Sequence, residues 1–225
     1  MTPDFITFTG ADDKTDPADM VRLAESYPVE FGILMSPTRE GTPRYPSQDW
    51  IDTIRGQGLR LSAHLCGGYS RALIARLERG GGRDELDLEG FLRLQLNTTQ
   101  TVAVELFREW ARPRRVRPIL QCRGAFPSAP GVAWLFDRSG GRGTIPAAWP
   151  TPARPGVLVG YAGGLGPETI TEALPHFRAP YWIDMETRVR NERDEFDLAV
   201  CHDVCLRAFG LPQIARTGGG HERRT

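Results

Sequence analysis

His64 and Cys66 stand two residues apart in SAHLCGG, a spacing that turns both side chains to one face of an extended strand. Their ordinary pKa values bracket neutrality, so either can act as a base near pH 7. Asp137 ends the apolar run VAWLF just ahead of a glycine-rich loop, where its carboxyl group can give a proton. An acid and a base facing one ligand can run an isomerisation by proton transfer alone. Each residue also has a plainer role: Asp137 as a cap for its loop, His64 and Cys66 as packed side chains. Cys122, at the end of another apolar run, is a weaker candidate for the base.

Groups suited to an anion accompany them. YAGGLGPETI (Tyr161 to Ile170) places Gly163 and Gly164 just before a helix expected from Pro167, and backbone amides at such a turn can cradle phosphate. FDRSGGRG (Phe136 to Gly143) supplies a second glycine loop, with Gly141 at its centre. Arg44 and Arg123 can bind a carboxylate or phosphate through forked hydrogen bonds, or simply be solvated. Gln95, Asn97, Asp184 and Thr187 complete the polar set. Cys201 and Cys205 lie one helical turn apart in CHDVC with His202 on another face, which reads as packing, and no metal is expected.

The elements that must position these residues follow from apolar runs alternating with helical periods. Strands are expected at Phe5–Thr9, Val29–Met35, Leu59–Leu65, Leu92–Leu96, Val116–Cys122, Val132–Asp137, Val157–Ala162 and Tyr181–Asp184. Helices are expected over Asp16–Ser26, Ser47–Arg55, Tyr69–Arg79, Thr99–Trp110, Pro167–Leu174 and Asp194–Phe209, with a single turn at most before the sixth strand. Asp16 and Ser47 are the natural N-caps. Eight strands and about seven helices in 225 residues fit one (β/α)8 TIM barrel over residues 1–210, with a disordered tail over 211–225. In such barrels the reacting groups project from the C-terminal ends of the strands. All the candidates fall there or in the loops that follow.

Composition excludes several classes. Basic and acidic residues balance at 28 each, so neither nucleic acid nor membrane is an expected partner. Lys14 is the only lysine and sits in the polar run ADDKTDPAD, which argues against Schiff-base and pyridoxal-phosphate chemistry. The cysteines form no CxxC pair and are expected reduced. No basic start with a long apolar run and no membrane-length apolar stretch is present, so a soluble cytoplasmic protein is expected.

Several of these stretches resemble the phosphoribosylanthranilate isomerases, the barrel enzymes of tryptophan biosynthesis that perform an Amadori rearrangement. The family's strand-six aspartate with its GGxG loop and downstream tryptophan is matched by Asp137, Gly140, Gly141, Gly143 and Trp149. Its AGGLxPE pattern is matched by Ala162, Gly163, Gly164, Leu165, Pro167 and Glu168, its QL dipeptide by Gln95 and Leu96, and its Arg-Tyr pair by Arg44 and Tyr45. The resemblance runs from Phe5 to about Phe209. It implies a cofactor-independent isomerase of a small phosphorylated substrate, with Asp137 as general acid and phosphate held near Gly163, Gly164 and Asp184.

There are departures. The family's basic cysteine is Thr9 here, whose hydroxyl is too weakly acidic to serve as a base. The histidine after QL is Asn97. The family's DVSSG turn is IDMETRVR, so Asp184 and Thr187 match while Glu186 sets a carboxylate near the phosphate, which Arg188 or Arg190 would have to offset. His64 or Cys66 is left as the replacement base. The alternatives are a ligand-binding barrel without catalysis and another phosphosugar epimerase or lyase.

Overall fold

In the computed structural model, which describes residues 2–80, 86–139, 143–152 and 154–212, all eight apolar runs become parallel strands. They are β1 (Phe5–Thr9), β2 (Val29–Met35), β3 (Leu61–Leu65), β4 (Arg93–Leu96), β5 (Arg117–Cys122), β6 (Ala133–Asp137), β7 (Val159–Ala162) and β8 (Tyr181–Met185). Each pairs with its neighbour in sequence, and β8 pairs with β1 to close the barrel. The α-helices are α1 (Pro17–Ser26), α2 (Gln48–Arg55), α3 (Gly68–Glu78), α4 (Val104–Ala111), α5 (Ile170–Ala173) and α6 (Leu198–Phe209). Asp16 accepts from the Ala18 amide and Ser47 from the Trp50 amide, so both expected caps form.

Three helices differ from expectation. α4 begins at Val104 rather than Thr99, leaving the segment after β4 as a loop. α5 is a single turn, from Ile170 to Ala173. α6 begins at Leu198 because the Asp197 carboxylate accepts from the Ala199 and Val200 amides, while Asp194 sits in a turn at φ 57°. Among the described residues no helix is long and apolar enough to cross a membrane.

Strand alternation sorts the side chains into two layers. Ile6, Phe8, Phe31, Ile33, Leu61 and Leu65 join the core between sheet and helices, while Phe5, Ile119, Ala133, Leu135 and Trp182 form a smaller cluster inside the barrel. That interior is not wholly apolar. Arg93 Nη1 donates to Glu30 Oε1 at 3.0 Å, Thr7 Oγ1 donates to the same oxygen at 2.9 Å, and the guanidinium lies 4.1 Å from the Trp182 ring centre. Both members of the ion pair are buried.

Removing one partner from such a pair strands a charge away from water. Arg93→Met is expected to lower the unfolding free energy by about 3–5 kcal/mol in urea titration. Glu30→Gln added to it should recover part of the loss. Two additive losses would show that the charges do not act as a pair.

Candidate active site

Above the Glu30–Arg93 layer the barrel opens into a cavity of about 450 Å³ at the C-terminal ends of the strands. Thr9, His64, Gln95, Asn97, Arg123, Asp137, Gly163, Gly164, Asp184 and Thr187 line it, so most of the expected site residues meet in one place. Gly141 lies outside the described residues, as do Gly140, Gly81, Gly82 and the tail from residue 213.

The acidic centre is built by register. Asp137 pairs with Ala162, and Ala162 with Asp184, so the two carboxylates stand at one level on either side of a small residue. Two strand spacings put their backbones about 10 Å apart. The Ser139 amide and hydroxyl both donate to Asp137 Oδ1, at 2.9 and 2.7 Å. Thr9 Oγ1 donates to Asp184 Oδ1 at 2.8 Å. Thr9 thus orients a carboxylate.

His64 lies beside this pair because Gly32 leaves it room. A Cβ at Gly32 would stand 2.3 Å from Thr9 Oγ1 and 2.7 Å from His64 Cε1. His64 Nε2 is 4.0 Å from Asp184 Oδ2, too long for a hydrogen bond, and has no other partner among the described residues. Burial first, then the positive charge of Arg93, drives His64 down to about 3, so the imidazole is neutral and a feeble base. Burial raises Asp184 to about 7; Glu186 and Glu30 push the same way, against the Thr9 hydrogen bond and Arg93. Asp184 therefore exchanges a proton near neutrality, as a general base must.

Cys66 does not enter the cavity. It lies just past β3, where the Asn97 amide group donates to its sulfur at 3.2 Å, and burial raises the thiol against hydrogen bonds from Asn97 and Tyr45. Cys122 packs outward in the helix-facing core, where burial pushes its thiol up to about 12. Neither is a serviceable thiolate. Arg44 also misses the cavity: it binds Glu186 at 2.7 Å and Asp194 at 2.6 Å, which turns the Glu186 carboxylate toward a cation. The Arg190 side chain is buried, donating to Gly10 O at 2.9 Å and to Asp194.

The glycine turns after β7 take positive φ, 104° at Gly163 and 68° at Gly164. Their loop nests against its neighbours. A Cβ at Gly164 would stand 2.5 Å from Ile145 N, and one at Gly166 would stand 2.5 Å from Arg188 Cβ. Arg188 lines the cavity on this side, beside Thr187. The helix expected to aim the turn is too short to contribute a sizeable dipole, so amides, Thr187 and Arg188 carry whatever anion affinity exists here. Sequence reasoning missed Arg71, Ser139 and Gln121. Gln121 shows in strand alternation, two residues before Arg123, whereas Arg71 lies on a helix and carries no such signal.

No protein-family model matches the chain, and no curated protein matches it by sequence. Solved structures do. The likeness is to phosphoribosylanthranilate isomerases. The Thermus thermophilus enzyme matches at 20% identity over 90% of this chain and 96% of its own, with a TM-score of 0.58. TrpF from Jonesia denitrificans matches at 18% over 92% and 97%, TM-score 0.62. The Thermotoga maritima isomerase matches at 16% over 94% and 100%, TM-score 0.62. The barrel of this chain is the barrel of those isomerases.

Two opposed pKa shifts make a test. Between about pH 3 and 6.5 the unfolded chain binds a proton at His64 that the folded chain refuses, so His64 makes stability rise with pH. Between 3.8 and about 7 the folded chain keeps a proton on Asp184 that the unfolded chain releases, so Asp184 makes stability fall with pH. In the parent protein the slopes oppose each other. Asp184→Asn is expected to uncover the rising limb in urea unfolding across this range. A profile no steeper than the parent's would contradict the His64 shift.

Proposed function

We propose that this protein is a cofactor-independent isomerase of a phosphosugar, performing an Amadori-type shift on a phosphoribosyl amine. The observation that carries it is the pair of inward carboxylates, Asp137 and Asp184, at one level across a single cavity. Asp137 protonates the ribose ring oxygen, the C1–O bond breaks, and the nitrogen lone pair forms the C=N bond. Asp184 then removes the proton from C2, giving an enolamine that takes a proton at C1 while its C2 hydroxyl gives one up, which leaves the ketose. This assignment replaces His64 and Cys66 with Asp184 as the base and leaves Thr9 as its positioning residue. Gly163, Gly164, Thr187 and Arg188 hold the phosphate.

The neighbouring structures support the substrate class. One is a phosphoribosylanthranilate isomerase in complex with reduced 1-(o-carboxyphenylamino)-1-deoxyribulose 5-phosphate, at 17% identity and TM-score 0.61. The ketose phosphate half of that molecule is the part carried over here.

The test uses phosphoribosylanthranilate generated in situ and the corresponding glycine-derived amine, both in heavy water. Wild-type protein is expected to give a ketose product with one solvent deuteron at C1. Asp137→Asn and Asp184→Asn should each lower kcat by about 10²–10⁴-fold, and activity of the parent should rise through a midpoint near pH 7 as Asp184 ionises. Phosphosugar binding with no deuterium uptake would leave a ligand-binding barrel instead.

A further inference from the structure

We infer that the half of the cavity built by β3, β4 and β5 receives a second anionic group, carried on a polar, non-aromatic substituent of the substrate's amine. The inference rests on the phosphosugar reading above and extends it to the other end of the molecule.

Arg71 and Arg123 both line this half, and neither side chain makes an ion pair or hydrogen bond among the described residues. The acids that line the cavity, Asp137, Asp184 and Glu186, all project from the ends of β6 and β8 or just beyond, and Glu186 is already paired with Arg44. Two guanidinium groups thus border the cavity at its exposed edge with no counter-charge among the described residues, which favours an anionic ligand group. Arg71 stands on the first turn of α3, whose cap position is Gly67 and whose amides receive no side-chain cap, so the helix adds positive field at the same place. Arg44 is held by Glu186 and Asp194 and Arg188 lies on the opposite side, beside Thr187, so neither meets this anion.

The walls between the two arginines are polar. Thr98, Thr99, Gln100 and Gln121 line the cavity here, and no Phe, Tyr or Trp does among the described residues. A flat aryl group would strip water from these side chains and return no hydrogen bonds. A hydroxyl-, amide- or carboxylate-bearing group satisfies them.

Gln95 gives an independent pointer to a ligand. It is 3% exposed, its Nε2 donates to Asn97 Oδ1 at 2.8 Å, and its buried Oε1 has no partner. A buried acceptor without a donor is costly to leave so, and the N–H of a secondary amine or a sugar hydroxyl would satisfy it. The anion then lies beyond that contact, toward Arg71 and Arg123.

The test is calorimetric binding of stable, reduced conjugates of ribose 5-phosphate with aspartate, ethanolamine and aniline, alongside ribitol 5-phosphate, at one fixed low salt concentration. The aspartate conjugate is expected to bind at least about tenfold more tightly than either of the others. In the double variant Arg71→Gln, Arg123→Gln that preference should shrink to about threefold or less, with an unaltered thermal transition showing that the protein is folded. Equal or tighter binding of the aniline conjugate overturns the inference alone, as does a preference for aspartate that survives in the double variant. Failure of ribitol 5-phosphate and all three conjugates to bind overturns the phosphosugar reading and the inference with it.

Discussion

Glu30 and Arg93 meet at 3.0 Å inside a closed sheet, where their charges act with little water to screen them. Strand alternation puts them there, because a closed barrel of short strands has an inside as well as an outside. The pair cannot be ignored by what lies above it. Burial disfavours a charge on His64 and on Asp184 first of all; Arg93 then adds to the effect at His64, while at Asp184 Glu186 and Glu30 add to it and Arg93 opposes them. The imidazole therefore stays neutral, and the carboxyl group holds a proton that leaves only near neutrality. The layer below the cavity floor thus adjusts a chemistry that burial sets.

That arrangement answers the question raised by Thr9. A hydroxyl in place of a thiol removes a base, yet the same hydroxyl holds Asp184 by a 2.8 Å hydrogen bond. In the proposed reaction the proton acceptor is Asp184 on β8, the strand that pairs with β1 and its Thr9. The fold supports many reactions, so the barrel by itself does not choose among them. The choice is made by which inward side chains are charged, and by what surrounds each one.

The barrel was legible because each strand is an apolar run of the right length and two helices announce themselves with Asp16 and Ser47 caps. The misjudged boundaries have local causes. Thr99 and Gln100 look helical by period, but the helix starts only at Val104. Asp194 looks like a cap, yet Asp197 binds the free amides, and Asp194 serves Arg44 and Arg190 instead. Asp137, Asp184, Gln95 and Asn97 were found because strand ends are predictable. Cys66 and Arg44 misled because a side chain past the end of a strand no longer obeys alternation, and each is held from behind by a residue that does line the cavity, Cys66 by Asn97 and Arg44 by Glu186. The unpaired state of Arg71 and Arg123 depends on where every acid in the chain ends up, which no local pattern records.

The nested turns after β6, β7 and β8 bear on how such a protein can change over generations. Gly164 sits against Ile145, and Gly166 against Arg188, so closely that a single methyl at either position would collide with a neighbouring loop. Three loops interlocked in this way drift together or not at all. The loop after β3 is tied down as well, since a Cβ at Gly68 would stand 2.7 Å from Pro37 Cγ and the Ser70 hydroxyl donates to Asn97 O at 3.2 Å. A change in one wall of the mouth therefore needs room made in its neighbour, and the rim varies as a ring of coupled loops rather than one loop at a time.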